Sequence, residues 1–389
     1  MSIIFLLNHL CYGGVAIVTL NLANRFVSDG HNVCVFAFSS DGHTLKDQLD
    51  SRVKFVTGCG WGFCAGNVEM LRQVIKDFHT NLVVNQWGLP FKTILTARLA
   101  GRGLGAKYWS FYHNDPSANG RIQSVENEIK DCRSTVVRWF LTIKHWIAKF
   151  VTSRSMRLSY RLSDKYCILS ESFVPVFSDF TGLYNPDKLE VLTNPITVDG
   201  NDYKYSQNSK CREIMYCGRL EYNPKRVDRI IDAWAALEAK YIDWKLTIVG
   251  DGPDRNHLEA CVKKMGLSRV TFAGFQPPAE YYKKASILLL TSDFEGFGLV
   301  IVEAMQFGVI PIVYGSYVAV FDIIDDGING FITSAPYNTD DTVDRLRRLM
   351  DDEKLREQMA TAAIKKAKSF SMNAIAKKWY SLMDDISRP

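Results

Sequence analysis

Two rhythms of apolar spacing alternate along the chain. Largely apolar stretches of strand length stand at residues 3–7, 32–38, 81–85, 106–112, 166–170, 213–217, 244–249, 270–275, 285–290, 310–313 and 330–332. Between them apolar residues return every three or four positions, as Ile17, Leu20, Leu22, Ala23 and Phe26 do before Gly30, the period of a helix with one buried face. Helical spacing resumes from Thr342 onward and closes over residues 372–386, which carry Trp379 and Leu382. Strand and helix in alternation predict an α/β chain with parallel sheets. At 389 residues it is long for one core, so two domains are expected.

The most informative stretch leaves the apolar run 285–290, passes through Ser292, Asp293, Phe294, Glu295, Gly296, Phe297 and Gly298, and enters a helical pattern that Gly308 ends before Pro311. That order predicts strand, tight turn and helix. Gly296 and Gly298 let the backbone turn sharply and a ligand approach closely. The helix start then offers its N–H groups and positive dipole end to an anion such as a phosphate. Glu295, at the mouth of the turn, would repel phosphate but accept hydrogen bonds from sugar hydroxyls. Glu303 falls about two turns into the helix, on a patch of Val, Ile, Ala and Met. It is either a buried carboxylate kept by a polar ligand such as a ribose diol, or a solvated helix residue beside glycines that only turn the chain. Tyr12, Gly13 and Gly14 open the first helix in a similar way. The glycines at 58, 60 and 62 and at 101, 103 and 105 lack the spacing of a dinucleotide fingerprint and read as loops.

Glu295 and Glu303, with Gly296, Phe297, Gly298 and Leu299 between them, form an E-x7-E pattern around G-F-G. This resembles the signature of family 4 glycosyltransferases of the GT-B fold, and the resemblance extends over most of the chain. It implies an α/β architecture of two Rossmann-like domains whose parallel sheets face a central cleft. Residues 1–197 would form the acceptor-side domain and residues 198–370 the nucleotide-sugar domain, with residues 371–389 a helix crossing back onto the first. Asn194 and Pro195 resemble the family's turn at the end of the first domain, and the polar run 199–210 reads as the linker. Arg219 follows a strand and Lys225 opens the next helix, matching the family's donor-phosphate pair, one forked and one point charge; Arg226 stands where the family usually has Gly. The resemblance further implies that Gly14 faces the donor, although Val15 and Ala16 replace the usual Ala-Glu, and that Phe275 contacts the nucleotide base. It also implies that His113 contacts the donor sugar. On the residues alone His113 is a polar residue at the carboxyl end of a strand, of the kind more often structural, and Asp115 is either a loop cap or an acceptor contact.

Composition narrows the picture without redirecting it. With 47% hydrophobic and 23% charged residues the chain is globular. Its nine cysteines are scattered, odd in number and free of any C-x-x-C pair, which suggests reduced thiols of the cytosol serving as packing residues. The apolar start is short, lacks a basic leader and meets Asn8 and His9, so it reads as a strand and not a signal peptide. No uncharged apolar run reaches the roughly eighteen residues of a transmembrane helix. No D-x-D occurs, so no cofactor or metal is expected at the diphosphate.

The net charge of +5 is uneven: residues 1–195 carry 21 basic against 15 acidic side chains, which puts the whole excess there. Much of it lies in 130–165, where Lys130, Arg133, Arg138, Lys144, Lys149, Arg154, Arg157, Arg161 and Lys165 meet only Asp131 and Asp164. On a helix over 136–151, Arg138, Thr142, His145 and Lys149 make a narrow polar stripe, with Lys144 beside it. Trp139, Phe140, Ile143, Trp146, Ile147 and Phe150 fill the broad apolar remainder. Such a helix either lies in an anionic membrane interface or packs in the core with a snorkelling basic edge. The apolar surface is too large for a nucleic-acid patch.

Taken with the resemblance, these features imply a retaining transferase that moves a hexose from a nucleotide diphosphate sugar, UDP-linked, to a lipid-linked or glycolipid acceptor at the inner face of the cell membrane. Arg219, Lys225 and the helix start would balance leaving-group charge in place of a metal. A soluble acceptor, or an inactive GT-B domain serving as a membrane-bound partner, remain the alternatives.

Overall fold

A computed structural model describes residues 1–39, 42–200 and 202–387. Asn201, within the expected linker, and Arg388 and Pro389, at the end of the last expected helix, lie outside the described residues. The chain divides into two compact units. Unit 1 holds Met1–Asn194 and the last helix from Ile375 onward, and unit 2 holds Pro195–Ala374.

In unit 1 the elements are β1 (Ser2–Leu7), α1 (Gly14–Ser28), β2 (Asn32–Ala37), β3 (Lys54–Thr57), α2 (Ala65–Asp77), β4 (Leu82–Asn85), α3 (Phe91–Ala100), β5 (Lys107–Tyr112), α4 (Gly120–Asp131), α5 (Thr135–Leu162), β6 (Lys165–Ile168), α6 (Phe173–Thr181) and β7 (Leu189–Val191). The sheet is parallel, in the order β3-β2-β1-β4-β5-β6-β7. β1 and β4 are buried from end to end, which is why they read as unbroken apolar runs. β3 escaped the sequence pattern because it is a four-residue edge strand with only two apolar positions and partial burial.

Unit 2 runs through β8 (Glu213–Cys217), α7 (Val227–Ala235), β9 (Lys245–Val249), α8 (Arg255–Lys264), β10 (Val270–Gly274), α9 (Ala279–Lys284), β11 (Ile287–Leu290), α10 (Leu299–Gln306), β12 (Ile310–Tyr314), α11 (Val320–Ile323), β13 (Phe331–Thr333), α12 (Thr339–Asp351) and α13 (Glu353–Ala367). Its parallel sheet has the order β10-β9-β8-β11-β12-β13. The final helix, α14 (Met372–Ser387), leaves unit 2 and finishes in unit 1. There Trp379 stacks on Phe111 at 4.8 Å and meets Phe5 and Phe26 edge-on, while the Tyr380 hydroxyl donates to Asp29.

Both sheets reverse direction of growth once, between β1 and β4 and between β8 and β11. Open α/β sheets bind ligands beyond the carboxyl ends of their strands at such a switch. In unit 2 only Ile214 with Ile287 and Met215 with Leu288 pair across it.

The cysteines depart from the expectation of packing residues. Cys34 and Cys167 are buried, but Cys59 is exposed and its Sγ lies 3.1 Å from that of Cys64. Cys64 caps α2, its sulfur accepting the Asn67 N–H. A six-residue loop closed over the Asn67 amide, which donates to Gly60 and Gly62, brings the two thiols together.

Candidate active site

At the unit 2 switch the chain leaves β11, turns through Thr291–Gly298 and starts α10. Gly298 takes the left-handed conformation (φ 82°) as the residue before the helix. A Cβ there would lie 2.7 Å from the Tyr317 hydroxyl and 2.8 Å from Ile301 Cδ1, so both geometry and space require glycine. Phe297 points away: its ring is buried against Phe370, centroids 5.6 Å apart, so only its backbone belongs to the turn. The loop after β8 is fastened to this turn, because Asp293 N–H donates to the Pro224 carbonyl at 2.8 Å and Thr291 Oγ1 to that of Arg226 at 2.8 Å.

The charged residues form pairs that the spacing did not show. Lys225 Nζ donates to Glu295 Oε1 at 2.7 Å, both half-buried. Arg219 turns instead to Glu221, 2.7 Å away, and is 67% exposed. The carboxylate expected to greet a sugar therefore neutralises the lysine expected to greet its diphosphate. Arg226, where the resemblance implies a Gly, adopts φ 49°, the left-handed region that glycine enters most readily. Its guanidinium is held by Asp228 at 2.8 Å and Asp293 at 3.3 Å and lies over the Tyr222 ring. Arg229 also reaches Asp293, at 2.6 Å.

Glu303 is buried, as the apolar patch around it suggested. Its carboxylate accepts from Thr197 Oγ1 at 2.5 Å and from the Tyr282 hydroxyl at 3.4 Å. Burial pushes its pKa up to about 7 against the pull of those hydrogen bonds. The protein itself thus satisfies the group, so burial alone does not demand a ligand. Phe275, beyond β10, is 62% exposed.

Unit 1 carries Gly14 as the exposed first residue of α1, with no side chain capping the helix. His113 is buried beyond β5, its Nε2 bonded to Gln86 Oε1 at 2.8 Å. Its Nδ1 is buried with no hydrogen-bond partner among the described residues. Burial drives the ring's pKa down to about 4, with Asn194 opposing, so it is neutral near pH 7. Asp115 caps its loop: its Oδ1 accepts from the Ser117 N–H and hydroxyl, at 2.8 and 2.7 Å.

Two residues that the sequence did not single out sit beside these groups. The Tyr317 hydroxyl is buried next to Gly298 without a hydrogen-bond partner among the described residues, its pKa raised by burial and by Glu295. Gln86, beyond β4, orients His113 while its own Nε2 is unpaired. Neither belongs to a periodic pattern; Gln86 follows a predicted strand, which was the one available signal.

The segment 136–151 is helical, as expected, but stands outward. Trp139 and Trp146 are 61% and 67% exposed, and Phe140, Ile143, Ile147 and Phe150 are exposed with them. The polar side turns toward α4: Lys144 meets Glu128 at 2.8 Å, His145 meets Glu126 at 2.9 Å, Lys149 meets Glu126 at 3.9 Å, and Arg138 donates to the Cys132 carbonyl at 2.6 Å. Of the two alternatives for this helix, packing in the core is thus absent from this half of α5. Its excess charge is also smaller than the window 130–165 indicated, because α4 supplies two acids from just outside it. Among the described residues no helix is long and apolar enough to cross a membrane.

Comparison with known proteins is consistent along the length of the chain. Residues 12–199 match the family model described as Glycosyltransferase Family 4, and residues 201–366 that described as Glycosyl transferases group 1. A Campylobacter jejuni protein named as an α-1,4-N-acetyl-D-galactosaminyltransferase acting on a GalNAc-GalNAc-diNAcBac-PP-undecaprenol is 27% identical over 235 residues, covering 59% of this chain and 62% of that one, less than two thirds of its length. An uncharacterized glycosyltransferase of Haemophilus influenzae is 24% identical over 390 residues, covering 97% and 98%. The crystal structure of Anabaena HepE in complex with UDP-glucose superposes with a TM-score of 0.76 at 18% identity over 99% of this chain and 100% of that one.

Proposed function

The chain belongs to the group 1 and family 4 glycosyltransferases of GT-B type, and from that premise we propose that it transfers a hexose from a UDP-linked sugar, with retention of configuration, to a lipid-linked or glycolipid acceptor. The observation that carries this is the turn before α10, where a glycine-bounded helix start, Lys225 and Glu295 occupy the switch point of one sheet. An incoming diphosphate would take Lys225 from Glu295, and the freed carboxylate would accept hydrogen bonds from the sugar. Arg219, exposed and held by Glu221, would add the second cation, so that leaving-group charge would be balanced by protein groups without a metal. A ribose diol would bond to Glu303 in competition with Thr197, and Phe275 would meet the base. His113, neutral, would hydrogen-bond a sugar hydroxyl, and Gly14 would offer the start of α1. The Campylobacter jejuni relative's undecaprenol-linked acceptor and the outward tryptophans of α5 support an acceptor in a membrane, with the protein peripheral at its inner face.

A panel of nucleotide sugars, with hydrolysis of each followed in the absence of acceptor, tests the donor reading. One UDP-sugar should be hydrolysed slowly and UDP should bind by titration calorimetry. Binding of neither UDP nor any nucleotide sugar would refute it.

A further inference from the structure

Unit 1 contains a cavity of about 540 Å³ between the start of α3, the start of α4 and the middle of α5. Lys92, Arg121 and Arg154 line it, and none of the three has a carboxylate partner among the described residues. Farther toward the start of α5, by contrast, Lys144, His145 and Lys149 are all paired to α4 acids. Two helices begin at the cavity and present their positive ends. An independent observation comes from Asn119 in the cavity wall. It is 8% exposed, its Oδ1 accepts the N–H groups of Arg121 and Ile122 at 3.0 and 3.1 Å, and its Nδ2 has no acceptor. A buried amide donor left without a partner points to a ligand oxygen. The α5 side of the cavity continues into the outward aromatic face of that helix: Phe150 lies under Arg154, 5.1 Å from the guanidinium, and stacks on Trp146 at 5.6 Å.

An anion-seeking floor that opens onto an aromatic ridge fits an amphiphile. We infer that this cavity seats the phosphate or diphosphate head of the lipid-linked acceptor, with the chain of that lipid lying along Phe150 and Trp146. The inference rests on the transferase reading for the identity of the lipid.

Vesicles of phosphatidylcholine carrying a small fraction of a polyprenyl diphosphate test it, against vesicles carrying the same fraction of phosphatidylglycerol and against inorganic pyrophosphate. The full chain should bind the polyprenyl diphosphate vesicles about tenfold more tightly than either control. Asn119→Asp keeps the oxygen that caps α4 but exchanges the amide donor for a negative charge. It and the pair Arg121→Gln with Arg154→Gln should each remove that advantage, with thermal unfolding and UDP titration unchanged. Equal binding to phosphatidylglycerol vesicles, pyrophosphate binding as tight as the lipid, or variants that bind like wild type would overturn the assignment. Failure of wild-type protein to bind UDP would count against the transferase reading instead, and the vesicle comparison would still decide the head-group site.

Discussion

Lys225 and Glu295 neutralise one another at the turn, so the charge proposed to meet a diphosphate is held as an ion pair. Removing the lysine should therefore do more than remove a contact. Lys225→Ala should lower kcat about 10²–10³-fold through lost leaving-group stabilisation, measured as steady-state transfer or hydrolysis, whereas a purely structural pair would alter melting temperature and leave turnover of the folded fraction intact. Glu303 makes a prediction through pH. Its folded pKa is raised from 4.5 to about 7 by burial, so between those values the folded protein holds a proton that the unfolded chain has released. The stability this gives is complete below about pH 4.5 and is lost as pH rises through 7. Glu303→Gln should flatten that fall, as compared by denaturant unfolding at about pH 5 and about pH 8; an unchanged slope would assign the pH dependence elsewhere. Near the start of α2, the hydrogen bond from Cys59 lowers the Cys64 pKa and raises that of Cys59. Limited alkylation followed by peptide mapping should thus mark Cys64 first.

Among the elements, α5 carries the clearest test, since its aromatic residues are outside the core. Replacing Trp139 and Trp146 by Ser should abolish flotation with anionic vesicles at no cost in melting temperature, and retained flotation would remove the membrane role. The same helix shows what one sequence can and cannot tell. Its amphipathic period and aromatic content were readable, because they are local. The partners Glu126 and Glu128 were not, because they lie on a neighbouring helix and outside the charged window. The glycine turn was readable in outline, since the left-handed backbone of Gly298 and its neighbour Ile301 are local while the crowding hydroxyl of Tyr317 is not, and Glu303 could be placed as buried from the side chains around it. The hydrogen bonds that satisfy Glu303 come from Thr197 and Tyr282, separated from it by 106 and 21 positions, and no spacing rule reaches them. Tyr317 and Gln86 were missed for the same reason: an orphaned hydroxyl or amide is a fact of packing, without a period to announce it.

Two parallel sheets, each reversing once, account for the alternation of strand and helix over nearly the whole chain. The central strands were found because they are buried on both faces; β3 and the extent of α5 were not, being partly exposed or continued beyond the apolar pattern. Trp379 joins the far end of the chain to the sheet of unit 1, and Trp379→Ala should destabilise that unit by about 3–5 kcal/mol. Hydrogen exchange should then speed up in β1 and β5 and remain as in wild type in β8 and β11; equal acceleration in both sheets would contradict the division into two units.

The seat of Trp379 also bears on how the chain matures on the ribosome. The strands of unit 1 are all synthesised by Val191, yet the indole that closes over Phe5, Phe26 and Phe111 emerges only after the entire second unit has been made. The amino-terminal half, first out of the exit tunnel, is therefore the last to complete its interior, reversing the usual vectorial order, and a nascent chain stalled before α14 exposes those aromatic rings to chaperones.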